Sequence, residues 1–280
     1  MYLYSYRKRP NFGDALNDYL WPRFIQVPLE KRPGSQEVFV GIGTLLNERL
    51  PPKGVLHIFG SGSGYGNVQP DAKARWRVHF VRGPLTANAL GLPTELAISD
   101  PGLLVHQTQN LNCTKDIDCA FMPHHGLYSE HMKALCEQAG VHFIHPEEPC
   151  ANVLDQIGRS RRLICSAMHG AIAAEALRVP WLPVMTNREM LLSKWEDWAA
   201  SMDTSIDFRS LPVIWSTPPS SLAGRAVAGL TAVVFRQKMA QLSRSKSFQL
   251  GKDAVLNDRL TRIQERIEDF NNQQLLPREA

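Results

Sequence analysis

The chain has 280 residues, 44% of them hydrophobic and 21% charged. That is enough to fill one large or two modest α/β cores, and it excludes a disulfide-stapled mini-domain, a collagen-like repeat and a disordered tail. The formal net charge of +4 is too mild for a dedicated nucleic-acid binder unless the excess is concentrated in one place.

The N-terminal stretch MYLYSYRKRPNFGDALNDYL has no apolar core of the kind a signal peptide carries, and no window is apolar for long enough to span a bilayer. The five cysteines, Cys113, Cys119, Cys136, Cys150 and Cys165, are odd in number and contain no Cys-x-x-Cys pair. Reduced thiols in a cytosol are therefore expected, rather than a disulfide framework or a zinc ribbon.

Along the chain, short apolar runs alternate with helical patterns. Residues 38–42, 55–59, 78–81 and 96–98 read as strands, and 14–25 and 84–90 as helices, the second opened by Pro84 at its first position. A second series follows, with strands at 120–122, 141–144, 163–165 and 181–184 and helices at 127–139, 152–158 and 168–177. Such alternation predicts parallel sheets with right-handed crossovers, hence two Rossmann-like halves. The polar stretch HQTQNLNCTKD places the junction near 106–116. The expected division is 1–110 and 111–215 for the two α/β domains, with 216–280 as a helical C-terminal extension.

Glycines crowd the ends of the first strands. Gly41-Ile42-Gly43 and the run Gly60-Ser61-Gly62-Ser63-Gly64-Tyr65-Gly66 each follow a predicted strand, where backbone N–H groups can receive an anion. Tight turns alone would call for glycine there as well. The spacing does not make a dinucleotide fingerprint. Arg82, in Val-Arg-Gly-Pro, sits between a strand end and a helix start, where a guanidinium and a helix N-terminus together cradle carboxylate or phosphate; the alternative is an arginine paired with a neighbouring acid. Asn11-Phe12-Gly13-Asp14 combines a turn with a carboxylate at a helix start, which an N-cap would also explain. Asp100, in Ser-Asp-Pro-Gly, is either turn chemistry or a cleft carboxylate.

In the second half, Cys165-Ser166-Ala167-Met168-His169-Gly170 puts a histidine at a strand-to-helix junction, a place for a general acid with a near-neutral pKa. Cys165 lacks an orienting partner for nucleophilic catalysis, and His124-His125 has no ligand at metal-binding spacing, so no metal is assigned. A further helix, 188–202, carries Trp195 and Trp198, which either pack the core or stack on a sugar face at a cleft, and offers Lys194 as a cation for an anionic ligand.

Taken together, NFGDALN, FVGIGTLL, FGSGSG, FVRGPLT, ISDPGLL, SAMHGAIAAEALRVPWLPV and KWEDW resemble the bacterial polysaccharide pyruvyl transferases, the branch that places ketal-linked pyruvate on exopolysaccharides such as xanthan and succinoglycan. The resemblance spans about residues 1–215. It implies a glycosyltransferase-B-like fold, phosphoenolpyruvate as donor with no further cofactor, and a lipid-linked oligosaccharide as acceptor. It makes His169 the general acid and Arg82 the donor-binding arginine. Where many relatives carry arginine two residues before the histidine, this chain has Ala167, leaving Arg188 or Lys194 to supply that charge. The loops imply substrate contacts from Asn11, Gly13, Gly41, Gly43, Gly60, Ser61 and Gly62, and from Ser166 and Met168. Asp14, then Asp100, is the candidate base for the acceptor. Two other readings stand beside this one: a sugar-nucleotide glycosyltransferase on the same scaffold, and a catalytically silent subunit of a polysaccharide assembly complex.

The small positive excess is localised. Residues 221–250 hold Arg225, Arg236, Lys238, Arg244 and Lys246 and no acid, and the rest of the chain is nearly neutral. With apolar residues between those charges, the segment suits either a helix against anionic lipid headgroups or a packed helix with a solvated basic edge. The expected place of work is the cytoplasm, with the inner face of the cytoplasmic membrane as the surface such a helix would meet, and no nucleic acid is expected as a partner.

Overall fold

The structure is a computed structural model that describes residues 1–68, 70–186, 190–215 and 220–275, with the backbone alone for 70–72. The apolar runs form two parallel sheets, each in its own compact unit. The first unit comprises 1–105, 191–206 and 251–280, and the second 106–190 and 207–250.

In the first unit, β1 (Tyr2–Tyr4), β2 (Glu37–Val40), β3 (Val55–Phe59) and β4 (Trp76–Phe80) pair in parallel in chain order. Runs such as Val-Phe-Val and His-Ile-Phe are buried on both faces, as strands of a covered parallel sheet must be. Helix α1 (Phe12–Phe24) follows β1 and α2 (Pro84–Leu90) follows β4. The strand expected at 96–98 is instead a 3-10 turn, Thr94–Leu96, and one bridge from Val81 to Ala97; Pro93 fixes its own φ and has no N–H to extend a ladder. Without a reversal of strand order, this sheet is not doubly wound.

The second unit does reverse. Here β5 (Ala120–Met122), β6 (His142–Phe143), β7 (Leu163–Cys165), β8 (Trp181–Met185) and β9 (Arg209–Ser210) lie in the order β6-β5-β7-β8-β9, all parallel. The intervening helices are α3 (Glu130–Gln138), α4 (Cys150–Arg159) and α5 (Met168–Ala176). The chain steps outward from β5 to β6 and then back past β5 to β7. That is the doubly wound pattern.

The linear division expected at 215/216 is replaced by an exchange of segments. Helix α6 (Leu192–Ser201) belongs to the first unit, α7 (Leu222–Ser243) to the second, and α8 (Asp253–Leu275) to the first again. The apolar face of each helix explains its place. In α8, Phe270 is fully buried among Phe39, Phe59, His57 and His79, and Asn271 bonds the Phe24 carbonyl at 2.9 Å and the Gln26 N–H at 3.1 Å. Phe235 and Met239 of α7 enter the other core, beside Phe121, Leu135 and Val184. Sequence periodicity shows that a helix has an apolar side, but not which sheet receives it.

Under α8 lies a histidine pair, His57 Nδ1 and His79 Nε2 being 3.2 Å apart. Burial, with the charges of His57 and Arg266 nearby, pushes the His79 pKa down from 6.5 to about 3. The folded chain therefore resists a proton that the unfolded chain accepts below about pH 6.5, and stability is lost as pH falls from there toward 3, by up to about 1.4 kcal/mol per unit. Urea unfolding at pH 7.5 and pH 5 is expected to show a marked fall in midpoint for the natural chain and a much smaller one for His79→Phe; equal falls would remove this pair as the source.

Candidate functional site

Open parallel sheets bind ligands beyond the carboxyl ends of their strands, at the point where strand order reverses. In the second unit that point lies between β5 and β7. Pro123 and His124 follow β5, and Ser166 to His169 follow β7. The two loops are joined there, the His124 N–H donating to Ser166 Oγ at 2.9 Å. His169 is the second residue of α5 and is half-buried. Ala167 is the N-cap and gives no side-chain bond to the helix, so the first N–H groups of α5 have no capping acceptor from it. Gly170 lets this helix start close to β5: a Cβ there would lie 2.9 Å from Met122 Sδ.

Ser166 and Met168, expected as substrate contacts, are almost fully buried and back the loop. Cys165 is fully buried, and desolvation raises its thiol pKa well above the ordinary value, which suppresses thiolate chemistry. His124 is the residue the sequence undervalued. It has no residue at metal-ligand spacing around it in the sequence, and strand order is what brings it beside the loop of His169.

In the first unit, the four strand ends gather the glycine loops, Arg82 and the start of α1 at one edge. Arg82 is fully buried, with Nε donating to Asp197 Oδ2 at 3.0 Å, Nη1 to Thr44 Oγ1 at 2.9 Å and Nη2 to the Ser63 carbonyl at 3.3 Å. Asp197 also accepts from the Thr86 N–H at 3.0 Å and the Thr86 hydroxyl at 2.6 Å. Its carboxylate thus caps α2, whose own N-cap, Gly83, has no side chain. An anion does sit between the arginine and the helix N-terminus, and it is the protein's own Asp197. The expectation of Arg82 as a donor clamp is corrected accordingly: its guanidinium has no exposed surface and organises the site from beneath.

The glycines serve the same packing. A Cβ on Gly62 would lie 2.2 Å from the Arg82 guanidinium carbon, and one on Gly83 would lie 2.1 Å from the Asp197 carbonyl. At Gly41 it would meet the Trp21 indole nitrogen at 2.2 Å, and at Gly60 the Pro101 ring at 2.4 Å. The N–H of Gly60 bonds the Phe80 carbonyl, the N–H of Gly62 bonds the Gly43 carbonyl, and Ser61 Oγ donates to that same carbonyl. These loops are stitched to one another, so those amides face protein acceptors.

Helix α1 begins two residues earlier than expected. Asn11, rather than Asp14, is its N-cap: Asn11 Oδ1 accepts from the Asp14 N–H at 2.9 Å, and Asn11 Nδ2 donates to the Asp14 carboxylate. Gly13 is buried in the first turn. Asn17, not singled out from the sequence, ties α1 to the first glycine loop through Ile42 N–H, at 2.8 Å, and the Ile42 carbonyl, at 2.9 Å. Asp100 is fully buried, its Oδ1 closing a turn onto the Gly102 N–H at 2.8 Å. That is turn chemistry, and it withdraws Asp100 as an accessible base. Trp195 and Trp198 are fully buried core residues.

Lys194 is half-buried at the start of α6, close enough to Arg82 and Asp14 to feel both charges. Desolvation and the Arg82 charge bring its pKa down to about 8. Tyr65 shares this neighbourhood and has a raised pKa, mainly through burial. Lys194, Asp14 and Tyr65 form the reachable part of the cluster. Arg188 lies outside the described residues.

Removing the Asp197 carboxylate leaves a buried guanidinium unpaired, a change that costs roughly 3–5 kcal/mol. Asp197→Ala is expected to show that loss in chemical denaturation, with Arg82→Met/Asp197→Leu recovering part of it; additive losses in the double variant would show that the two side chains act independently.

No family model matches the chain. A solved structure of the wall teichoic acid polymerase TagF aligns with 98% of this chain and 89% of its own at 10% identity, with a TM-score of 0.37, too low to carry an inference. The chain is 37% identical over 213 residues to the succinoglycan biosynthesis protein ExoV of Rhizobium meliloti (strain 1021), a match covering 72% of this chain and 65% of that protein. The match thus spans just under two thirds of ExoV. Over that stretch the chain is similar to a protein of succinoglycan biosynthesis.

Proposed function

We propose that this protein transfers the pyruvyl group of phosphoenolpyruvate to a sugar of a lipid-linked exopolysaccharide repeat unit, closing a cyclic ketal, on the glycosyltransferase-B-like arrangement the family implies. The observation that carries the reading is the position of His169 at the strand-order reversal of the second sheet, in a chain related to a succinoglycan biosynthesis protein.

The chemistry distributes as follows. His169 gives a proton to the methylene carbon of the donor, which becomes the methyl group, and an oxocarbenium-like centre forms at the adjacent carbon. One sugar hydroxyl adds there, phosphate departs with its C–O bond electrons, and the second hydroxyl adds to close the ketal. Two hydroxyl protons are released: one restores His169 and the other leaves to phosphate or solvent. Asp14 is the acceptor-side base. Lys194 receives the donor's anionic groups in place of the family arginine that Ala167 lacks, and Arg82 holds Lys194's surroundings and lowers its pKa. No step calls for a further cofactor.

His169→Gln is expected to reduce release of phosphate from phosphoenolpyruvate, in the presence of acceptor, by at least about 100-fold while circular dichroism stays unchanged. Transfer near the natural rate would overturn the acid assignment. For Lys194, protonated below its pKa of about 8, apparent donor affinity should hold steady up to that pH and weaken by about tenfold per unit above it. Lys194→Arg should move that decline to higher pH and Lys194→Met should abolish it; an unaltered KM-against-pH curve in both variants would separate Lys194 from the donor.

A further inference from the structure

Helix α7 is apolar on two opposite sides. At 100° per residue, Ala228, Ala232, Phe235 and Met239 fall together, and Phe235 and Met239 are fully buried in the core of the second unit. Leu222, Val227, Leu230, Val233 and Val234 fall on the far side, with relative exposures of 84%, 52%, 68%, 43% and 43%. A helix that served its own sheet alone would be polar there.

The charges carried on the same segment are all positive. Residues 221–250 hold no acid, and the same spacing puts Arg225 and Arg236 along one border and Lys238 along the other. Toward the C-terminus of α7, on the side of Leu230, Gln237, Gln241 and Arg244 line a cavity of about 840 Å³ with Arg209 and Ser247. Trp215, 43% exposed, lines a smaller cleft with Arg225.

We propose that this face of α7 docks on an anionic lipid bilayer. Leu222, Leu230 and Val234 enter the acyl boundary, while Arg225, Arg236 and Arg244 lie at the level of the headgroup phosphates with the Trp215 indole among them. No helix among the described residues is long and apolar enough to cross a membrane, so α7 lies along the surface. An apolar protein partner accounts for the row of Leu and Val, but not for five basic residues and no acidic one over 221–250. A negatively charged surface accounts for both, and it needs no shape match to the exposed row.

Docking is independent of pyruvyl transfer, and its test uses neither donor nor acceptor. The full chain is sedimented with vesicles of phosphatidylcholine alone or with about 30% phosphatidylglycerol, at low and high salt. The expected result is binding to the anionic vesicles only, weakened by salt. Leu230→Gln/Val234→Gln should bind more than about tenfold more weakly with unchanged circular dichroism. Arg236→Gln/Arg244→Gln should lose roughly 25-fold, about fivefold for each charge. The proposal is overturned if the natural chain stays in the supernatant with anionic vesicles, or if Leu230→Gln/Val234→Gln binds as well as the natural chain. It is equally overturned if analytical ultracentrifugation shows a lipid-indifferent dimer that those two substitutions dissociate, because the face then receives a second copy.

Discussion

The first unit is organised around one buried ion pair, Arg82 with Asp197. Four segments meet on it: the β4–α2 junction through Arg82 and Thr86, the loop after β2 through Thr44, the second glycine loop through Ser63, and α6 through Asp197 itself. A guanidinium with no water around it demands a full set of acceptors, and each one fixes a piece of backbone. Gly62 and Gly83 follow from that demand, since a Cβ at either would collide with the pair. The pair also adds to the electrostatics above it: burial first, and then the charge of that same guanidinium, keep Lys194 from holding its proton as tightly as an exposed lysine.

Much of the fold was legible from local pattern. Strands at 55–59, 120–122 and 163–165 and the proline-opened helix at 84–90 appear with the expected bounds, because each is a compact apolar run or a capped period. The first and last strands were not. Tyr2–Tyr4 is three residues long, and Arg209–Ser210 is an exposed pair of polar residues with no alternation to read. Tertiary context alone makes them strands.

The site divides in the same way. The place of His169 between a strand and a helix was legible, because that junction is local. The role of Arg82 was not, because the acid that answers it lies 115 residues further along the chain, and no local pattern distinguishes an arginine awaiting a substrate from one awaiting a distant aspartate. Asn17 was hidden for a related reason. It looks like one polar position on an amphipathic helix, yet it is fully buried and bonded to both backbone groups of Ile42. Polar residues that serve the backbone of another segment look, in sequence, like surface.

The return of α8 to the first sheet bears on how the chain is made. Residues 106–190 and 207–250 can assemble their sheet while synthesis is still under way, but the first unit, begun earliest, lacks Phe270 and Asn271 until residues 253–275 have emerged. Until then the aromatic floor of Phe39, Phe59 and His79 is uncovered, and in that interval the nascent chain is most open to aggregation or chaperone capture. The half that is started first is finished last.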